Sequence, residues 1–115
     1  MITRKRLETG QIVINANDID LKEEQELIDK YNLTQQIINY AHDKFERPRI
    51  IYDSDLDCYL MVISIPSIKE NLDKTVQSIT IVANDEEVVC FTNSYSQYVM
   101  NYIIRFLSGY SGIKN

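Results

Sequence analysis

An α/β fold is what this sequence predicts: one mixed sheet of about five strands with helices on both of its faces. Three observations carry that prediction. Two stretches with helical spacing of apolar residues precede residue 46, β-rich segments run from 49 to 92, and a strongly apolar helical stretch follows them. The 115 residues, 44% hydrophobic and 25% charged, suit a single soluble-type domain over 1–115, with room for one core and not for two.

The elements follow in order. Gln11-Ile12-Val13-Ile14-Asn15 reads as a short strand ending in the turn-prone Asn15-Ala16-Asn17-Asp18. Asp20 is a good N-cap, Glu23 stands three residues on as its capping-box partner, and the acidic helix they open runs to Tyr31. Leu21, Leu27, Ile28 and Tyr31 give it a thin apolar stripe, so it packs on a surface and is not buried all round. Asn32 breaks it. Thr34 then starts a second helix whose inner face is Ile37, Ile38, Ala41 and Phe45.

Pro48 disfavours the α region for Arg47, so this helix ends before Glu46-Arg47-Pro48-Arg49 and the chain leaves extended. Four strands are expected after it, at 49–52, 57–65, 76–83 and 87–92. Asp53-Ser54-Asp55 links the first pair. Pro66, Asn71 and Asp73 mark the next loop, and Asn84-Asp85-Glu86 makes the last two a hairpin. Residues 58–65 show no polar alternation, the sign of a strand covered on both faces. Ser94, with Gln97 in the capping-box position, opens a third helix, and Gly109 is its natural stop. The predicted order is β-αα-ββββ-α, with no internal repeat.

Composition excludes several classes. A net charge of −5 argues against nucleic acid, whose phosphates demand clustered Lys and Arg. The one basic run, Arg4-Lys5-Arg6, reads as a solvated tail, and no apolar stretch of secretory length follows it. No window reaches the roughly 20 apolar residues of a membrane helix; residues 95–107 are interrupted by Gln97, Asn101 and Arg105. Cys58 and Cys90 lie in apolar, strand-like runs and read as free buried thiols, which favours a reducing, cytoplasmic compartment.

Catalytic constellations are missing from the pattern. Asp53, Asp55 and Asp57 match the opening of a calcium loop, but Cys58 stands where the loop needs Gly and Ser64 where it needs a bidentate Glu, so the run reads as a solvated turn. His42 and Asp43 are neighbours on a helix and point about 100° apart, so they form no dyad. Neither cysteine has an evident activating base, and no glycine-rich loop opens a helix. The expectation is a protein that is not an enzyme and holds no tightly bound cofactor. Tyr95, Tyr98 and Tyr102 share one face of the third helix. They suit core packing, and part of that face also suits docking, since Tyr tolerates both burial and water.

From Ile12 to Thr92 the chain resembles the amino-terminal cytoplasmic domain of CorA-type magnesium and cobalt transporters. Ile12-Val13-Ile14-Asn15 looks like the family's first strand, although no Trp precedes it, and residues 20–31 like the Glu-rich helix that follows. Asn32-Leu33 looks like the start of the next helix. Glu46-Arg47-Pro48-Arg49 with Ile50-Ile51-Tyr52 resembles the family's Arg-Pro-Lys/Arg lead into a strand. Tyr59-Leu60-Met61-Val62-Ile63, Ile79-Thr80-Ile81-Val82 and Val88-Val89-Cys90-Phe91 resemble its later strands.

The resemblance implies a three-layer α/β/α sandwich hung on the cytoplasmic face of the cell membrane below a homopentameric channel. Its partners would be other copies of the same chain, with Mg²⁺ or Co²⁺ as regulatory or transported ion. The stalk helix, membrane helices and Gly-Met-Asn pore signature have no counterpart here, so the resemblance implies an excised, soluble fragment that meets the membrane only through a missing C-terminal part. Counting back from Arg47, the family's acidic ligand pair falls on Asn39 and Tyr40, neither a carboxylate. Asp43, one helical turn away, stands as a substitute metal ligand. The alternative is a free-standing α/β interaction module that docks a protein through residues 94–107 and has no role in ion transport.

Overall fold

The computed structural model describes residues 1–43, 46–67 and 75–112. Along the chain run β1 (Ile2–Arg6), β2 (Ile12–Asn17), α1 (Leu21–Tyr31), α2 (Gln35–His42), β3 (Arg49–Asp53), β4 (Cys58–Ser67), β5 (Thr75–Ala83), β6 (Glu87–Thr92) and α3 (Val99–Gly112). The described strands form one mixed sheet in the order β1-β2-β6-β5-β4-β3. The second and third strands in that order, β2 and β6, are parallel, and every other pairing is antiparallel.

The sandwich has three layers because the strands alternate. On one face Ile14, Ala16, Leu60, Val82 and Val89 meet Leu27 of α1 and Ile37 and Ile38 of α2. On the other, Val13, Ile79, Ile81, Val88 and Cys90 meet Met100, Ile103, Ile104 and Leu107 of α3. One domain thus carries two apolar layers on one sheet, where composition suggested a single core.

Local chemistry sets the helix ends. The Asp20 side chain accepts from the Glu23 amide at 2.8 Å and the Glu23 carboxylate accepts from the Asp20 amide at 3.2 Å, the reciprocal box expected from sequence. Asn32 ends α1 in the left-handed region at φ 57°. Thr34 caps α2 through the Ile37 amide at 3.2 Å. Phe45, expected on the inner face of α2, and the loop markers Asn71 and Asp73 lie outside the described residues.

Four expectations need correction. Arg4-Lys5-Arg6 is no tail: it lies in β1, a sixth strand laid antiparallel on β2. Its charged side chains point to solvent, which hid it, but its backbone answers the open edge of β2. The Met1 amine donates to the Asn17 carbonyl at 2.6 Å, Arg4 Nε to the Tyr31 hydroxyl at 2.5 Å, and Gly10 at φ +94° turns the chain between the two strands. Secondly, α3 begins at Val99 and not at Ser94, after a turn over 94–98 that Asn93 and Ser96 hold together. Asn93 Oδ1 accepts from the Tyr95 amide at 2.9 Å, while Ser96 Oγ accepts from the Asn93 amide at 2.9 Å. Thirdly, α3 runs through Gly109 to Gly112, because a glycine only weakens a helix that tertiary packing holds. Finally, Pro66 lies within β4, opposite Val76, and β4 is covered on both faces only along part of its length: Tyr59 is 52% exposed.

Candidate functional site

The sequence-marked residues gather where α2 gives way to β3. The Asp43 amide closes α2 on the Tyr40 carbonyl at 3.1 Å. Buried Ser78 of β5 then fastens the connection on both sides: its hydroxyl donates to the Asp43 carbonyl at 2.9 Å and accepts from the Glu46 amide at 3.1 Å. No sequence signal marked Ser78, because its role depends on which strand lies beneath the helix end.

Arg49 organises the charges there. Its Nη1 pairs with Glu46 Oε2 at 2.8 Å, and its guanidinium carbon stands 5.0 Å from the centre of the Tyr40 ring. Arg49 Nε is the one buried side-chain nitrogen or oxygen without a partner among the described residues. Arg47 and Pro48 are exposed. The hinge therefore acts as a strand lead-in held by Glu46–Arg49 and Ser78.

Asn39 and Tyr40, the positions on which the resemblance places metal ligands, are both engaged within the chain. Asn39 Oδ1 accepts from Gln35 Nε2 at 3.1 Å, and Tyr40 lies under a fixed guanidinium charge that repels a second cation. Asp43 is an exposed carboxylate at the end of α2. Among the described residues, no three His, Cys, Asp or Glu side chains converge on a metal position.

The acidic run forms the turn expected of it. Asp53 Oδ1 accepts from the amides of Asp55 at 3.0 Å and Leu56 at 3.1 Å, and Asp57 Oδ1 accepts from the Tyr52 hydroxyl at 2.5 Å. His42 Nε2 pairs with Glu24 Oε1 of α1, so the lone histidine ties the two helices together. Sequence missed this contact because it joins residues 18 positions apart across two helices.

Both cysteines are free and buried. Burial pushes the Cys90 thiol up to about 12, and burial with the Asp53 and Asp57 charges raises Cys58 as well, the opposite of an activated nucleophile. The tyrosines divide. Tyr98 is half-buried, with its hydroxyl donating to the Pro66 carbonyl at 2.6 Å and its ring edge-on to Tyr102 at 6.5 Å. Tyr95 precedes the helix and is 44% exposed, while Tyr102 and Phe106 on α3 are 64% and 68% exposed. No helix among the described residues is long and apolar enough to cross a membrane.

A pocket of about 230 Å³ opens beyond the carboxyl ends of the parallel pair β2 and β6, where small ligands often bind in open α/β sheets. Its polar lining is occupied internally. Gln77 Nε2 donates to Ser67 Oγ at 2.6 Å, Asn93 Nδ2 to Gln77 Oε1 at 2.9 Å, and Asp18 Oδ2 accepts from the Ser94 amide at 3.2 Å. These groups knit the sheet end to the turn before α3.

No protein-family profile matches the chain, and no curated protein does. Solved structures do share its fold. The soluble domain of CorA from Methanocaldococcus jannaschii superposes with a TM-score of 0.68 at 22% identity, over 86% of this chain and 38% of that one. The complete CorA magnesium transporter from the same archaeon gives 0.69 at 18% identity, over 90% and 31%. The chain has the fold of that domain and spans about a third of the length of the chains it matches.

Proposed function

We propose that this chain is the extramembrane α/β/α domain of a CorA-type divalent-cation transporter, serving as an assembly and regulatory surface without catalysis. The observation that carries the reading is the fold: most of the chain superposes on a domain of a magnesium transporter. The ordered marks around Glu46-Arg47-Pro48-Arg49 support it as well.

The partners are other copies of the chain, in a homopentamer on the cytoplasmic face of the membrane. Mg²⁺ is a hard cation that keeps several waters and needs only one or two carboxylates, so a regulatory ion would be shared between copies. From this chain the carboxylate we assign is Asp43, at the end of α2 and one helical turn from Asn39 and Tyr40. Calorimetric titration with Mg²⁺ and with Co²⁺ tests the point. Weak binding lost in Asp43→Ala is expected, and tight binding indifferent to that substitution would remove Asp43 from the site. The transporter reading also expects the coding frame past Asn115 to continue into a long charged helix and two apolar segments; a stop codon there counts against it.

A second reading, a protein-interaction module, is favoured by the exposed Tyr102 and Phe106 on α3. It expects binding lost in Tyr102→Ser and no response to either ion.

A further inference from the structure

The two edges of the sheet are built differently. The β1 edge presents Thr3, Arg4, Lys5 and Arg6, all exposed, so a second β1 laid beside it would meet like charges, a common guard against edge pairing. The β3 edge has no such guard. Its central residues Ile50, Ile51 and Tyr52 are 70%, 42% and 50% exposed, and Ile51 belongs to neither apolar layer. The chain is β-branched and aromatic where an edge is usually charged.

Charge stands at the two ends of β3 with opposite signs. Exposed Arg47 lies before its start and exposed Asp55 and Asp57 beyond its finish, while Arg49 and Asp53 at its two termini are engaged within the chain by Glu46 and by the Asp55 and Leu56 amides. Such a strand complements itself only when antiparallel. In a twofold pairing centred on Ile51, Arg47 comes opposite the partner's Asp55. Ile50 then lies opposite the partner's Tyr52, on the α3 side that Met61 and Tyr59 mark as their cross-strand neighbours. A shift of one residue would set opposite faces together, and a shift of two would leave part of the strand unpaired and separate the charges. Parallel pairing would set Arg against Arg and Asp against Asp.

We propose that β3 is a self-association edge, through which two copies of this chain join antiparallel about Ile51 into one continuous sheet. The inference does not depend on the transporter reading: a ring of five copies is closed by heterologous contacts, and a twofold edge is a separate contact outside such a ring. Five residues make a small interface, at or below roughly 1,200 Å², so the pairing is concentration-dependent.

Sedimentation equilibrium of the whole chain up to about 1 mM tests it. A monomer–dimer equilibrium is expected, weakened by salt, with the dissociation constant raised at least about tenfold by Ile51→Lys, which sets two ammonium groups on the axis. Arg47→Asp and Asp55→Arg should each weaken the dimer, and an equimolar mixture of the two variants should restore it, because each then supplies the charge the other lacks. That rescue separates pairing from a folding defect. A chain monomeric throughout, a dimer indifferent to Ile51→Lys, or one abolished by Tyr102→Ser instead would overturn the proposal.

Discussion

Glu24 is a carboxylate 5% exposed in the helical layer, and its partner among the described residues is His42, the chain's one histidine. Removing that partner leaves a buried acceptor unsatisfied, at a cost of about 1–3 kcal/mol. His42→Ala should therefore lower the urea midpoint, and Glu24→Gln in the same background should recover much of the loss. Glu87 offers a pH-dependent test. Burial first, and then the Glu86 charge, raise its carboxyl above the ordinary 4.5. The folded chain thus holds this proton more tightly than the unfolded one. The stability it contributes is full below the unfolded value and is lost as pH rises through the folded value. Glu87→Gln should accordingly raise the melting temperature at neutral pH and leave it unchanged below about pH 3.

Among the elements, α3 departs furthest from its sequence pattern, passing through a glycine that reads as a stop. Gly109 has no positive φ, and a Cβ added there meets nothing within 4 Å. Gly109→Ala should stabilise the chain by about 0.5–1 kcal/mol, chiefly by narrowing the unfolded ensemble. A lower melting temperature would mean that the helix end is strained at that point. The start of α1 and of α2 was legible because Asp20, Glu23 and Thr34 act on amides within four residues of themselves, and the end of α1 because Asn32 readily takes the left-handed conformation. Strand β1 was not, since only Ile2 and the following Leu7 turn inward and its pairing is written in the backbone of β2.

At the scale of the molecule, the sheet is shared by both apolar layers, so neither helical layer can separate without exposing the other's floor. Leu27 below α1 and Met100 below α3 lie on opposite faces, at 0% and 7% exposure. Leu27→Ala and Met100→Ala should each cost about 2–5 kcal/mol, and each should shift one common unfolding transition. Separate transitions by tyrosine fluorescence and far-ultraviolet dichroism would show that the layers melt independently. The same two-sidedness leaves β1 and β3 as the edges of the described sheet, one charged and one apolar at its centre.

The sequence by itself determined the α/β class, the capping box of α1, five of the strands and the extended exit at Pro48, because each rests on contacts a few residues apart or on a simple period. It also carried the ordered resemblance that the fold later matched. Only the tertiary structure decided the sixth strand, the parallel pairing of β2 with β6, the Ser78 fastening, the Glu24–His42 tie and the fate of Tyr40 beneath Arg49. Those depend on which surfaces meet once the sheet has formed, and no local spacing encodes a contact that spans it.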